Sequence, residues 1–536
     1  MSQSPKEFLA QLEQRHRAAD RFRQPNTQAR DNFFGLSNTG GMTGFAGAQR
    51  DRLTEDWNPQ TASWTSIHRR DSTLLRARAR DLVLNNPFAA SAVNVYIANV
   101  IECGLLPKPK VSDSNIRLAQ VNGWNRWSGE NGDNEADITG HQNIYEMMAL
   151  WLEEVLVGGG CLTRYVVMDR RTQRDRLLPL SMELIPEERF ADDSDEYVQF
   201  HNRRKSKNRI IRGVEIESNG KPVRYWIRPQ HPNDVTLDIE PIAYSAEDCH
   251  YAFRRRGIGQ YRGFTFLHVA IMWLWKLGYY TDNELMASAL RSCFAAVIQH
   301  SHEDWDKMGE GLMDGTPSVV DSHGNSIERL QPGIIARMTA PGEITSMGPN
   351  IQPADGMAWL MFIQRAIGIA TDLSYEELIR DYSQGSFSST RQSANSDRKR
   401  FRRWQNFTRN NFCRPTWRRF SQWASWRGLD GFPSLAEYVS RVHEVNDVMW
   451  RAPGWQSVNP WDDARAAVLE VENGMGTRDN YVSGRGNDWE DTFDQLEREH
   501  EGAVRRGLTF TTTVDPAEAS SEQDNAPKKQ QGSRQR

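Results

Sequence analysis

The sequence predicts an α+β fold built in several parts, and three observations carry that expectation. The first half alternates segments of helical periodicity with strand-like segments. The second half opens on a long helix that is apolar around most of its circumference. After a stretch punctuated by Gly and Pro it returns to another. Finally, the 536 residues exceed the roughly 250 to 300 at which single cores stop growing. With 38% hydrophobic and 25% charged residues and a mean hydropathy of −0.69, the chain has a large polar surface to cover, which suits an extended or multi-lobed shape.

Residues 1–50 read as an N-terminal helix and a flexible linker. Ser4, Pro5 and Glu7 give a helix start, with a capping oxygen, Pro in the first turn and Glu three residues after the cap. The opening stretch lacks the apolar centre of a secretory signal, and residues 35–47 (GLSNTGGMTGFAG) have linker composition. Two helices follow. In the second, Asn86 caps, Pro87 takes the first position, and Ala89, Ala92, Val93, Tyr96, Ile97, Val100 and Ile101 form one apolar stripe, with Gly104 as the stop. Gly158, Gly159 and Gly160 precede no Gly-Lys-Ser/Thr, so they read as a hinge before a buried strand from Cys161 to Val167. Gly213 to Arg228 reads as a hairpin turning at Asn219 and Gly220.

From Phe264 to His300 the pattern predicts a long helix, interrupted near Gly278 and carrying Trp273, Trp275 and Leu277. A helix without one polar face is buried on several sides. Its most apolar window is broken by His268 and Lys276 and falls short of the ~18 apolar residues of a membrane span, so no membrane partner is expected. Short strand-like pieces follow from Gly315 to Met347, then a second helix from Ala354 to Ala370 with Trp359, Phe362 and Ile363. A Ser-rich loop leads into a basic helix from Ser388 to Cys413, about 39 Å long, which Pro415 is expected to break. Trp461 to Asn473 and Thr477 to Gly502 read as acidic helices, and the end of the chain from Thr511 reads as a disordered tail.

Charge is unevenly placed. Between Arg391 and Arg427 eleven Arg and Lys stand against one acid, Asp397, a local charge of +10; the whole chain carries −4, so the remainder carries −14. Such a segment is expected to meet a polyanion locally. Arg398, Lys399, Arg400, Arg402 and Arg403 alternate with Phe401, Trp404, Phe407 and Phe412, and two readings stand side by side. They are phosphate contacts beside stacking rings, or an amphipathic helix whose rings enter the core while its arginines pair with acids.

No catalytic group, metal or cofactor is expected. The cysteines Cys103, Cys161, Cys249, Cys293 and Cys413 form no CxxC pair, which excludes a disulfide framework and a structural zinc and points to reduced thiols in a cytosolic setting. His300, His302, Glu303 and Asp304 sit at spacings that do not converge on a helix. Asp372, Glu376, Glu377 and Asp381 suggest two Mg²⁺ ions of a metal-dependent DNA-processing nuclease as the rival reading, yet they follow one another in a single acidic helix start. Ser386, Ser388 and Ser389 have no base arranged beside them.

Five stretches carry a likeness. They are LRARARDLVLNNPFAASAVNVYIANVIECGLLP (75–107), GVEIESNGKPVRYWI (213–227), GQYRGFTFLHVAI (259–271), LQPGIIARMTAPGEI (330–344) and LSYEELIRDYSQGSFSSTR (373–391). In these and in their order the chain resembles the lambda-type bacteriophage portal family. The resemblance implies a multidomain portal fold assembled as a ring, typically of twelve subunits. A wing would occupy 51–262, the first stem helix 263–300, the clip 301–353 and the second stem helix 354–373. The tunnel loop and basic helix would fall in 374–439, the loop itself at 378–392, with a helical crown at 440–508 and the tail at 509–536.

The same likeness implies a non-enzymatic conduit for double-stranded DNA at one capsid vertex of the virion, assembled in the host cytoplasm. Its partners would be the terminase large subunit, the major capsid and scaffolding proteins, and the head-tail connector proteins. Arg380, Ser383, Gln384, Ser386, Ser388 and Arg391 would face the channel. Trp273, Trp275, Trp359, Phe362 and Ile363 would form the subunit interface, and Glu328 and Arg329 of the clip would meet the motor.

Overall fold

The computed structural model describes residues 59–508, apart from 131, 169–175, 193–207, 235–239, 299–318, 321–325, 328–333, 338–352, 384, 456–459 and 486–488. The expectations for residues 1–50, for most of the clip, for His300 to Asp304 and for the C-terminal tail lie outside these residues.

Helix α1 (Trp64–Asn85) starts on Ser63, whose side chain accepts from the Ser66 N–H. Asn86 joins it to α2 (Pro87–Val100): its Oδ1 accepts from the N–H groups of Phe88 and Ala89, and its Nδ2 donates to the Leu274 carbonyl at 3.2 Å. The expected stripe of α2 enters the core, Ile97 being half-buried. At Gly104, φ is +110° and a Cβ would strike the Tyr145 ring at 2.2 Å, so only Gly ends the turn here. Strand β1 (Leu106–Pro109) leads to α3 (Ser114–Trp127), capped by Asp113, and to α4 (Ile144–Val157), closed by a reciprocal Asn143–Glu146 cap.

Two antiparallel sheets follow. In the first, β2 (Gly160–Val167) lies between β3 (Leu180–Pro186) and β8 (Cys249–Phe253). The second is the meander β4 (Arg209–Ile211), β5 (Val214–Ile216), β6 (Pro222–Ile227) and β7 (Ile242–Ser245). The predicted hairpin is β5–β6, with Gly220 at φ +84° and a bulge at Ile216.

The first long helix is shorter than its pattern suggests. Thr265 caps a single 3-10 turn (Phe266–Val269), and α5 spans Ile271–Cys293, running straight through Gly278 without interruption. A Cβ at 278 would lie 3.4 Å from the Asn86 amide, an ordinary contact, so the helix has room for a side chain there. Beyond Cys293 the chain becomes strand β9 (Phe294–Ile298), pairing in parallel with β12 (Ile334–Arg337), while β10 (Val319–Val320) and β11 (Ser326–Ile327) form a small hairpin. The β-branched end of this apolar run fits a pleated ladder as well as a helix, and pairing decides it.

Helix α6 (Pro353–Ala370) packs on α5, and α7 (Tyr375–Ile379) is a short helix before α8 (Phe387–Thr408). Pro415 does not break the basic helix. A π-helical turn at Arg409–Cys413, closed by the Arg414 N–H on the Arg409 carbonyl, passes into α9 (Arg414–Arg427) with Pro415 in its first turn. Pro lacks an N–H and its ring collides with the carbonyl four residues back. The wider turn relieves that clash, and Thr416 Oγ1 satisfies the Phe412 carbonyl at 2.7 Å. The helical run from Phe387 to Arg427 thus extends about 60 Å.

That run threads the main core. Phe401, Trp404, Phe412, Trp417 and Phe420 are buried with Tyr96, Trp124, Trp127 and Trp151, and Trp124 lies 5.2 Å from Trp417 and 5.6 Å from Trp450 between ring centroids. Short helices α10 (Leu435–Ser440) and α11 (Val442–Val445) lead to β13 (Val448–Arg451), antiparallel to β1. A boundary at 440 would cut through this packing, and the helices assigned to the crown begin only at α12 (Pro460–Glu472), followed by α13 (Arg478–Gly484) and α14 (Trp489–Arg506).

A buried ionic cluster fixes where the chain leaves the sheets towards α5. Arg262, 1% exposed, donates to Glu187 Oε1 at 2.7 Å, to Asp192 Oδ1 at 2.5 Å and to the carbonyls of Glu187 and Arg212. Tyr251 OH donates to Glu187 Oε2 at 2.7 Å and accepts from the Gly263 N–H. His68 Nε2 stands 3.1 Å from the Gly263 carbonyl, and Arg76 lies 3.6 Å from Glu187. Burial alone would push the Glu187 carboxyl up; Arg262, with His68 and Arg76, overrides it and holds the group at about 2.

The sign of the linkage follows. A carboxyl depressed from 4.5 to about 2 stabilises the fold fully above pH 4.5 and loses that contribution as the pH falls towards 2. The loss amounts to about 3 kcal/mol. Urea unfolding between pH 6 and pH 3 is expected to show this decline. Arg262→Met, which strands a buried carboxylate, is expected to cost about 3 to 5 kcal/mol at pH 7; a wild-type midpoint at pH 7 in that variant contradicts the role given to the pair.

Candidate functional site

The pair α5 and α6, expected as the stem, presents two faces. Between the helices Leu274 and Leu277 of α5 and Ile363 and Ile367 of α6 are buried in the main core. On the outside of α5, Met272, Trp275, Tyr279 and Met286 recur at spacings of three, four and seven and are 49–70% exposed. Trp275 and Tyr279 stack at 5.8 Å. On α6, Trp359, Phe362, Ala366 and Ile369 repeat at three, four and three, with Trp359 stacked on Phe362 at 5.3 Å. These are seam spacings of packed helices, and no described residue covers the aromatic and Met side chains of either stripe. Trp273 is half-buried against the core, whereas Ile363 is 4% exposed and occupied inside its own chain.

Beyond α6 the backbone turns twice through the left-handed region on residues other than Gly. Asp372 has φ +57° and Arg380 φ +59°, one on each side of α7. Three contacts hold the first turn. Tyr96 OH donates to the carbonyls of Thr371 and Asp372, at 3.0 and 3.3 Å. Asp397, 1% exposed on α8, accepts from the Ser374 N–H at 3.2 Å and from Arg400 at 2.5 Å. Arg400 also reaches Asp372 at 3.0 Å.

The loop after Arg380 folds on itself. Asp381 accepts from the Ser383 N–H at 3.0 Å and its hydroxyl at 2.6 Å, and these bonds hold its carboxyl below the usual range. Ser386 caps α8 by accepting from the Ser389 N–H, and its hydroxyl lies 3.1 Å from those of Ser388 and Ser389. Ser388 therefore belongs to the first helical turn, and the irregular stretch is 380–386 rather than 378–392. The serines expected to extend the loop terminate it, because a Ser side chain satisfies the free N–H groups of a helix start.

Arg380 and Ser383 are exposed, while Arg391 is ion-paired with Asp463 of α12. Gln384, Glu328 and Arg329 lie outside the described residues. The carboxylates of the nuclease reading do not converge: Asp372 serves Arg400, Asp381 serves Ser383, and burial with the nearby Asp397 raises Glu377. Among the described residues no three His, Cys, Asp or Glu are grouped to hold a metal ion.

The amphipathic reading of the basic helix describes its inner face. Its rings enter the core and Arg400 pairs with acids, while Arg398 and Arg402 lie over the Trp455 ring at 6.0 and 5.6 Å. Lys399, Arg402 and Arg403 remain exposed on the opposite face. Sequence reasoning noted Asp397 only as the lone acid of the segment; that isolation among eleven cations was the available signal of a structural role. It passed over Arg254, Arg255 and Arg256, three successive arginines at the end of β8.

The family described as Phage portal protein, lambda family, matches residues 50–405. A probable portal protein of Halomonas phage phiHAP-1 is 23% identical over 505 residues, covering 90% of this chain and 93% of that relative. Portal protein B of Escherichia phage lambda is 23% identical over 508 residues, covering 86% and 88%. A chain from the virion of a native gene transfer agent particle aligns at a TM-score of 0.38 and 11% identity, covering 81% of this chain and 98% of its own.

Asp397→Ala removes the acceptor of Ser374 and one partner of Arg400, and is expected to cost about 2 to 4 kcal/mol. Amide exchange from Leu373 to Ser386 is expected to accelerate more than tenfold, with α2 less affected. Unchanged protection across that stretch contradicts the anchoring.

Proposed function

Because the chain belongs to the lambda family of phage portal proteins, we propose that copies of it close into a ring that conducts double-stranded DNA through one capsid vertex during packaging and ejection. The family match over residues 50–405 carries this reading. The paired apolar stripes of the stem support the ring: each helix pair has one apolar face spent within its chain and another left for neighbours. Contacts of this head-to-tail kind close when the rotation per subunit divides the circle, typically with twelve copies in such portals.

Within the ring, the loop 380–386 faces the channel, with Arg380 as its phosphate contact and Ser383 and Ser386 as its neutral surface. Arg391 at the helix start positions that loop through Asp463 rather than reaching DNA. A polar loop of few charges lets a duplex slide, since each phosphate neutralised adds about 0.9 to the salt slope of binding. The clip, with Glu328 and Arg329, docks the terminase large subunit, a separate enzyme. The wing and crown meet capsid, scaffolding and head-tail connector proteins. Assembly takes place in the host cytoplasm, and the portal itself is non-enzymatic.

Native mass spectrometry of the purified protein is expected to show a closed ring. Trp275→Glu and Phe362→Glu should abolish it, because an unpaired charge buried at an interface is costly. Ile363→Ala should instead destabilise the chain itself by about 2 to 5 kcal/mol. Normal rings from both charged variants rule out the assigned face. In a packaging assay with intact rings, Arg380→Ala should alter DNA translocation or retention, and Glu328→Lys or Arg329→Glu should weaken motor docking with an altered salt dependence; unchanged behaviour in all three removes the loop and clip assignments.

A further inference from the structure

The charges of this fold divide into two populations. Arg76, Arg80, Arg212, Arg262, Arg391 and Arg400 each meet a carboxylate. A second group does not. Arg254 and Arg256 follow strand β8, and Lys399 and Arg403 stand one turn apart on the exposed face of α8; among the described residues none of these four forms an ion pair. The Arg254 guanidinium lies over the Trp404 ring at 5.4 Å, which brings the end of β8 against α8 beside Arg403. His268, at the entry to the first stem helix, is within electrostatic reach of Arg254 and Arg256. Asp372, the acid that reaches Arg254, is already held by Arg400.

This convergence is unfavourable for the chain alone. Burial, and then Arg403, weaken the hold of Arg254 on its proton; burial and Arg254 do the same to Arg256. Like charges gathered from two separated segments and left without acids are relieved by an anion from outside. Its class follows from what surrounds the cations. The exposed positions of the helical run from Lys399 to Asn410 are Lys399, Arg402, Arg403, Asn406 and Asn410, with no exposed apolar side chain among them, and just beyond Arg256 a single one, Ile258, is exposed, which is ordinary for a protein surface. Protein partners are anchored by buried aromatic and aliphatic side chains, whereas nucleic-acid backbones are held by Arg, Lys and amide groups.

We propose that Arg254, Arg256, Lys399 and Arg403 form a phosphate-binding face for double-stranded DNA, separate from the loop 380–386. The inference rests on the portal reading for its choice of duplex. It also places more of the DNA contact on the basic helix than the Ser-rich loop carries.

The test is duplex binding by the full-length assembled protein, using a fluorescent duplex of about 30 base pairs across a salt series from about 50 mM. The variant Arg254→Gln/Arg256→Gln/Arg403→Gln is expected to form wild-type rings and to bind at least tenfold more weakly at low salt. Its plot of log affinity against log salt should be shallower by about 2 to 3. Since Arg254 also packs on Trp404, Arg256→Gln/Lys399→Gln serves as a second variant that leaves that contact alone, with an expected change in slope of about 2. Unchanged affinity and slope in both variants overturn the proposal. So does loss of rings with thermal stability retained, which would assign the patch to acids of a neighbouring subunit. Wild-type protein that binds duplex through these residues without forming rings would uphold the patch and sink the portal reading instead.

Discussion

The contact between Arg262 and Glu187 sets the geometry on which the other parts depend. It is buried on both sides, and its shell draws on α1 through His68 and Arg76, on the first sheet through Tyr251, and on the second through Asp192 and the Arg212 carbonyl. A buried pair of this kind is weak evidence for net stability but strong evidence for a unique arrangement, because displacing either partner strands a charge. The arrangement is closed sterically as well. A Cβ on Gly263 would sit 1.9 Å from the Gly159 carbonyl, and Gly159 itself needs φ +101°. The triple glycine is thus a point of close backbone approach, and the chain leaves the sheets towards α5 at a place set by charge on one side and backbone contact on the other.

The long helical run from Phe387 to Arg427 is the second organiser. One face supplies the core with Phe401, Trp404, Phe412, Trp417 and Phe420, so helices α2 to α4 and the first sheet are packed on a segment that follows them by more than a hundred residues. Because the same helix begins on Ser386, the position of the irregular loop is set by the core and not by the loop's own sequence. The loop is tied to the core through Asp397, Arg400 and Tyr96, which hold the turn at Asp372, and through Leu378 of α7, which is buried in the core with its carbonyl accepting from Ser91.

Elements whose signals are local were legible in the sequence. The Asn86–Pro87 start of α2, the turn at Asn219 and Gly220, the strand after the triple glycine and the acidic helices near the C-terminus all declare themselves within a few residues. What sequence concealed was decided at a distance. The apolar run after Cys293 suits either period until β12 pairs with it. Pro415 signals a break, and only the π turn before it shows how the helix survives. The pairing of β1 with β13 joins residues 106–109 to 448–451, with no local sign of either partner. Among the candidate site residues, wide apolar coverage of the two long helices did not tell the exposed Trp275, Trp359 and Phe362 from the half-buried Trp273 and the internal Ile363, and the engagement of Arg391 by Asp463 was not legible either, since an arginine beside a polar loop looks the same whether or not an acid meets it.

The apolar surface is unevenly distributed. Single exposed hydrophobic residues are ordinary on protein surfaces, but α5 and α6 concentrate them in two stripes at seam spacing, each with a stacked aromatic pair. At about 25 cal/mol per Å² of apolar surface removed from water, aromatic side chains of this size dominate any interface they enter. The inner faces of the same helices are filled by Leu274, Leu277, Ile363 and Ile367, so each helix spends one apolar face within the chain and shows a second that no described residue covers. The cations show a similar division: those that hold the fold together are paired with acids, whereas Arg254, Arg256, Lys399 and Arg403 form no ion pair among the described residues.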